Sequence, residues 1–303
     1  MTVFQAEHER KVIAIGGGKG GIGKSFIAAN MGVQLARSGK RVVLVDADLG
    51  GANLHTCLGV KPPDLTLSDF ITRRVDTLKE VISETGIPGL GLISGAQDVL
   101  EAANPKYGQK LRLFGEIKRL DVDCIILDLG AGTGFNIIDF FLIAQQKILT
   151  VTPEPTAIEN AYRFIKALYY RRLKAQGSGV SRALLAEAAS SGERPGLKTP
   201  EELVSYVEER EPELGETLRN ELTASGFKLV VNQARSDREL QIGRSISSAS
   251  RKYFGVPMEF LGAIPYDDAV WRSVRKRQPV VIAEPLCEAS RCISAISQVV
   301  GAA

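Results

Sequence analysis

The sequence predicts an α/β fold: a doubly wound, mostly parallel sheet flanked by helices, with a helical insertion. Three observations carry that prediction. Seven short Val/Ile/Leu-rich runs, at 12–15, 41–45, 90–93, 124–127, 147–151, 227–231 and 260–264, show little apolar–polar alternation. That is the mark of strands buried on both faces of a parallel sheet. Segments of helical periodicity fall between them, as a doubly wound order requires. Residues able to carry chemistry follow directly on strand ends: a glycine loop after 12–15, Asp46 and Asp48 after 41–45, Asp128 after 124–127, and Asn232 after 227–231. Ligands of open α/β sheets sit along that edge.

Taken in order, Val12-Ile13-Ala14-Ile15 is the first strand, and a glycine loop follows it. Ile27, Met31 and Leu35 recur at helical spacing over 25–37, and Ser38-Gly39 ends that helix. Gly130, Gly132 and Gly134 behind Asp128 predict a mobile loop. A helix near 157–173 precedes roughly fifty residues that break the rhythm, 176–225. They open with Gln-Gly-Ser-Gly at 176–179, a flexible joint, then a stretch at 181–189 and a Gly/Pro-rich break at 192–200. Two charged helices follow, 200–210 and 212–224, and Thr199 with Pro200 reads as an N-cap with proline at the first helical position. This segment reads as an insertion within one domain spanning 1–303, a solvated decoration or a partner-docking surface. The last helix, 285–299, carries a stripe of Leu286, Ile293, Ile296 and Val300.

Bulk properties narrow the class. A chain of 303 residues buries a large core. A net charge of +3 does not argue for nucleic acid. No apolar run approaches the length of a membrane span, and the polar residues 1–10 hold no signal-peptide core, so the expected location is the cytoplasm. Cys57, Cys124, Cys287 and Cys292 form no C-x-x-C pair, and His8 and His55 offer no metal constellation.

The octet Gly18-Lys19-Gly20-Gly21-Ile22-Gly23-Lys24-Ser25 meets the pattern G-x-x-x-x-G-K-[ST] between a strand and a helix. Glycines let successive backbone N–H groups curl around a phosphate, Lys24 adds a charge, and the Ser25 hydroxyl is placed to ligate Mg²⁺. The helix dipole adds to the attraction. Lys19 is extra, since one subunit's phosphates do not need it. Alternation along an extended segment lets Asp46 and Asp48 point the same way, toward Mg²⁺ and the terminal phosphate. One acidic group orients an attacking water while cations neutralise the transferring phosphoryl group. Asp128 is the second acidic strand end, suited to anchoring Mg²⁺.

With these residues the chain resembles the MinD/ParA group of deviant-loop P-loop ATPases, whose signature is K-G-G-x-G-K-[ST] with the early lysine. The resemblance covers almost the whole chain apart from the insertion. Val43 to Gly50 with Ala52-Asn53-Leu54, Asp128-Leu129-Gly130-Ala131-Gly132, Thr152-Pro153-Glu154-Pro155-Thr156, Ile264-Pro265-Tyr266-Asp267 and Arg277-Gln278-Pro279-Val280 look most like the flagellar-number regulator branch, FlhG (also called FleN or YlxH). The resemblance implies a P-loop NTPase fold of the SIMIBI type, ATP and Mg²⁺ as ligands, and an ATP-dependent homodimer. It implies that the loop from Gly18 through Gly20, Gly21, Ile22, Gly23, Lys24 and Ser25 to Phe26 holds the phosphates. Ser25, Asp48 and Asp128 would serve the metal, and Asp48 the hydrolytic water with Asp46 beside it. Asn232, Pro265 and Asp267 would hold the adenine. Lys19 would reach the partner subunit's ATP, so that hydrolysis waits for dimerisation.

The implied function is a slow ATPase that switches on dimerising, binds an activator or cargo protein, and sets the position or number of a cellular structure such as the flagellum or division site. Two features depart from the branch: 1–10 lacks a D-Q-A-x-x-L-R segment, and the last helix, with Arg291 its one basic residue, suits docking on the sheet better than lying on a membrane. Other readings stay open. The basic runs Trp271-Arg272-Ser273-Val274-Arg275-Lys276-Arg277 and Arg171-Arg172-Lys174 would suit a DNA-bound partition ATPase. An iron–sulfur carrier of the Mrp/Nbp type would need the absent C-x-x-C. A nucleotide-binding adaptor would not need intact Asp48 and Asp128.

Overall fold

The computed structural model describes residues 10–95, 105–175, 199–224 and 226–302. Eight strands form one sheet. They are β1 (Lys11–Gly16), β2 (Val42–Asp46), β3 (Ser83–Glu84), β4 (Leu90–Ile93), β5 (Cys124–Asp128), β6 (Gln146–Val151), β7 (Phe227–Ala234) and β8 (Met258–Pro265). Their spatial order is β3-β4-β2-β5-β1-β6-β7-β8. Every pairing is parallel except β3 with β4, an antiparallel edge of two residues too short to show in the sequence. Two further features differ from the sequence reading. β7 runs on to Ala234, past its expected end, so Asn232 lies inside the strand beside a register shift at Asn232/Ala234. Short helices α2 (Leu54–Leu58) and α3 (Leu67–Ile71) follow β2.

Strand alternation sends residues to two cores. On β1, Val12 and Ala14 join one buried cluster while Ile13 and Ile15 join the other. Helix α1 (Lys24–Arg37) covers the second face with Ile27, Met31 and Leu35, all 2% exposed or less. The first face is covered by α4 (Tyr107–Ile117), α5 (Phe135–Leu142) and α6 (Pro155–Ala175). A carboxylate there ties three helices together: Asp139 on α5 accepts from Lys110 Nζ at 2.6 Å and from Arg171 Nε at 2.6 Å and Nη2 at 2.8 Å.

The described part of the insertion holds α7 (Pro200–Glu208) and α8 (Pro212–Ala224). Thr199 caps α7 as expected: its hydroxyl accepts from the Glu202 N–H and the Glu202 carboxylate accepts from the Thr199 N–H, both at 3.1 Å. Leu203, Val204, Val207 and Leu218 are buried in the same cluster as the α5 and α6 core, so these helices are packed on the sheet's cover and not merely solvated. The expected joint at 176–179, the stretch at 181–189 and all but the end of the break at 192–200 lie outside the described residues, as do 1–9.

After β7 come α9 (Asp237–Phe254), then β8, α10 (Asp268–Arg275), α11 (Val280–Ala283) and α12 (Glu288–Ala302). Ile293, Ile296 and Val300 of α12 are buried beside Met31 and Ile264, which is the docking on the sheet that the composition predicts. Leu286 does not belong to that stripe: it precedes the helix and is 82% exposed. Among the described residues no helix is long and apolar enough to cross a membrane.

Candidate functional site

The sheet register assembles the site. Asp46 pairs with Asp128 across β2 and β5, and Ile15 pairs with Asp128 across β1 and β5. Two acidic strand ends and the start of the glycine loop therefore meet at one edge, where the strand order reverses around β1. Gly23 enters α1 with φ 90°, a left-handed value that favours glycine. A Cβ there would also collide with the Asn232 amide. Asn232 is 4% exposed, and its Nδ2 donates to the Ile22 carbonyl at 2.9 Å, so β7 braces the loop from the side. Gln233, at φ 62°, adds a bond from Nε2 to the Gly21 carbonyl at 3.4 Å. Gly18 has no room for a side chain either, because the Asn160 backbone of α6 lies against it.

Lys24 is buried in the loop, its ammonium donating to the Lys19 carbonyl at 3.3 Å. Burial pulls its pKa down, against the raising effect of Asp128 and Asp48. Asp128 is 1% exposed and its Oδ1 has no partner. Burial first, then the neighbouring Asp46, push its pKa well up, while a hydrogen bond to Ser25 opposes this. This is a buried carboxylate with one uncommitted oxygen, beside the Ser25 hydroxyl. Hard oxygen donors of this kind, one or two carboxylates completed by phosphate oxygens, suit Mg²⁺. The residues present therefore fit Mg²⁺, which Ser25 and Asp128 could hold with Asp48 nearby.

Asp46 lies at the end of β2 beside Asp48. The strand ends at Asp46, so side-chain alternation stops there, and its carboxylate turns inward. It accepts from the Asp48 N–H at 3.2 Å and the Leu54 N–H at 2.9 Å, and it is fully buried. Burial pushes its pKa up to about 6. Its carboxylate ties both ends of the 48–54 loop. Asp48 is half-buried and lies against Gly130, where the lack of a side chain makes room for its carboxylate. The two glycine-bearing loops thus meet at Asp48.

Lys19 sits where no sequence signal placed it. Its ammonium pairs with Glu154 of its own chain at 2.5 Å and lies 3.4 Å from the Thr156 hydroxyl, both at the start of α6. Thr152 to Thr156 enters the sequence argument as part of the resemblance, without a role. The structure supplies one: a cradle for Lys19.

A slot of about 270 Å³ opens beside Gly23, between β7, β8 and α10. Asn232, Pro265 and Asp267 line it together with Tyr266, Trp271 and Val274, and so does Phe26, which the resemblance groups with the phosphate loop. Asp267 lies in the slot but its carboxylate is spent on capping. It accepts from the Ala269 N–H at 2.8 Å and the Ala289 N–H at 3.3 Å, the starts of α10 and α12. The basic runs are partly consumed inside the chain: Arg171 is bound to Asp139, and Arg272 lies 3.7 Å from Glu284. All four cysteines are free thiols.

The antiactivator FleN of Pseudomonas aeruginosa is 28% identical over 301 residues, 98% of this chain and 89% of its own. The flagellum site-determining protein YlxH of Helicobacter pylori is 35% identical over 167 residues, 54% of this chain and 56% of its own. Among solved structures, the septum site-determining protein MinD of Pyrococcus horikoshii, complexed with Mg-ADP, superposes with a TM-score of 0.61 at 23% identity, covering 96% of each chain. Residues 13–280 match the CobQ/CobB/MinD/ParA nucleotide binding domain, and the chain belongs to that family.

Proposed function

We propose that this protein is an ATP-dependent dimerisation switch that hydrolyses ATP slowly and thereby sets the position or number of a cellular structure. The observation that carries the reading is the meeting of the loop, Asp48 and Asp128 at one edge with Lys19 held just outside it. Backbone N–H groups of 18–26 and Lys24 bind the β- and γ-phosphates. Bound Mg²⁺ supplies charge neutralisation at the phosphates, held by Ser25 and Asp128. Asp48 orients the attacking water, and Asp46 holds the 48–54 loop that carries Asp48. Asn232 and the Pro265 turn border the base.

Lys19 neutralises the partner subunit's ATP. Its ion pair with Glu154 has to open first. Its ammonium side chain is 38% exposed and that of Glu154 58%, and exposed pairs contribute about 0–1 kcal/mol, so opening is cheap against a triphosphate. What is named of the relatives, an antiactivator and site-determining proteins for flagellum and septum, supports control of placement or number as the output. Molar mass by light scattering, on an Asp48→Ala variant that binds ATP without turning it over, tests the reading. A dimer with ATP and a monomer with ADP are expected. One mass under both nucleotides contradicts it.

A further inference from the structure

Among the described residues nine large hydrophobic side chains are exposed, and three of them, Tyr266, Trp271 and Val274, line the slot beside the loop. They are 47%, 56% and 53% exposed. Apolar surface gathered in one cavity marks a binding site rather than scattered surface residues. The two rings are not loose. Arg275 lies 4.7 Å over Trp271, and Arg235 lies 4.2 Å over Tyr266. Each arginine occupies ring surface outside the slot and stiffens the ring toward it.

The slot's polar side chains have part of their hydrogen-bonding capacity committed elsewhere. The amide donors of Asn232 and Gln233 go to loop carbonyls, and the Asp267 carboxylate goes to helix N–H groups. A flat aromatic ligand is therefore gripped here by ring stacking. Gly23 forms the wall shared with the phosphate loop, so a molecule with phosphates in the loop directs its other end into the slot.

We infer that Trp271 is a base-stacking residue: it closes over the nucleobase of the bound nucleotide from α10 and, with Tyr266, supplies most of the grip on the base. This rests on the nucleotide reading above and deepens it. The basic run around Trp271, which in sequence suggests nucleic acid, is here the outer lip of a mononucleotide slot.

Trp271 is the chain's one tryptophan, so its emission reports the slot directly. The full chain is titrated with Mg-ADP and, separately, with inorganic triphosphate, which fills the loop but carries no base. Calorimetry measures binding and fluorescence measures the slot. ADP is expected to change Trp271 emission saturably, and inorganic triphosphate to displace ADP and restore the emission of the free protein. Trp271→Ala is expected to weaken ADP about tenfold and leave inorganic triphosphate unchanged. This is the low end for base–aromatic stacking, because one face of the ring stays wet. Trp271→Phe, which keeps a ring, recovers most of the loss. ADP binding that leaves the emission flat, or an unchanged ADP affinity in Trp271→Ala, overturns the inference while the loop assignment stands. Inorganic triphosphate and ADP both failing to bind overturns the loop assignment, and the inference with it.

Discussion

Asp139→Ala removes the one carboxylate that holds Lys110 of α4 and Arg171 of α6 on α5. The side chains of Asp139, Lys110 and Arg171 are 13%, 9% and 22% exposed. Removing one partner of a buried pair costs about 3–5 kcal/mol because the other charge is stranded. Water reaches part of Arg171, and the two stranded cations can turn outward, so a loss of about 2–3 kcal/mol is expected here. Denaturant unfolding at neutral pH reads this as a shift in midpoint at constant slope. A pH series adds a second readout. Burial alone would raise the Asp139 pKa, but hydrogen bonds from Arg171 and Lys110 outweigh it and hold the carboxyl below the ordinary aspartate value of 3.8. A depressed folded-state pKa gives stabilisation that is complete above the unfolded value and lost as pH falls through the folded one. The gap between parent and variant should therefore be full at pH 7 and close below about pH 4. A variant within about 0.5 kcal/mol of the parent at pH 7, or a gap unchanged in acid, refutes the reasoning.

Further expectations follow from the same geometry. Lys19→Ala should bind ATP as a monomer and fail to hydrolyse it; parental turnover would remove the role given to this lysine. Glu154→Ala frees Lys19 in both subunits and should tighten the ATP dimer by up to about fivefold per ion pair, about thirtyfold for the two, read by sedimentation across protein concentration. A looser dimer would mean that Glu154 holds Lys19 in its working position instead. Asn232→Ala unties the loop from β7 and should weaken ADP and inorganic triphosphate together, unlike Trp271→Ala; a loss confined to ADP would place Asn232 at the base alone. Gly23→Ala forces a side chain into a left-handed backbone and against Asn232, and calorimetry should show nucleotide binding largely lost.

Much of this was legible in the sequence because strand ends announce themselves. Uninterrupted apolar runs marked seven of the eight strands, and the residues following β1, β2 and β5 were the ones the register brings together. The cap at Thr199 was legible for the same local reason. What stayed hidden was not local. Lys19 meets Glu154 across 135 positions of chain, and nothing in either neighbourhood encodes the pairing. Asp46 lies beside Asp48, as expected, but its hydrogen bonds to the Asp48 and Leu54 N–H groups come from a loop whose path the sequence does not encode. Trp271 and its arginines read as a charged run in sequence; only the approach of β7 and β8 to α10 turns the Trp271 face into a slot wall.

The central claim is that Lys19 serves the other subunit. Mixing Lys19→Ala with Asp48→Ala tests it most directly, each variant being inactive alone. If the lysine acts across the interface, each mixed dimer holds one complete site, with Asp48 from one chain and Lys19 from the other. Random mixing should then restore about a quarter of the parental ATPase rate per chain. If the lysine acts within its own chain, no mixed site is complete, and a mixture as inactive as its two components contradicts the account.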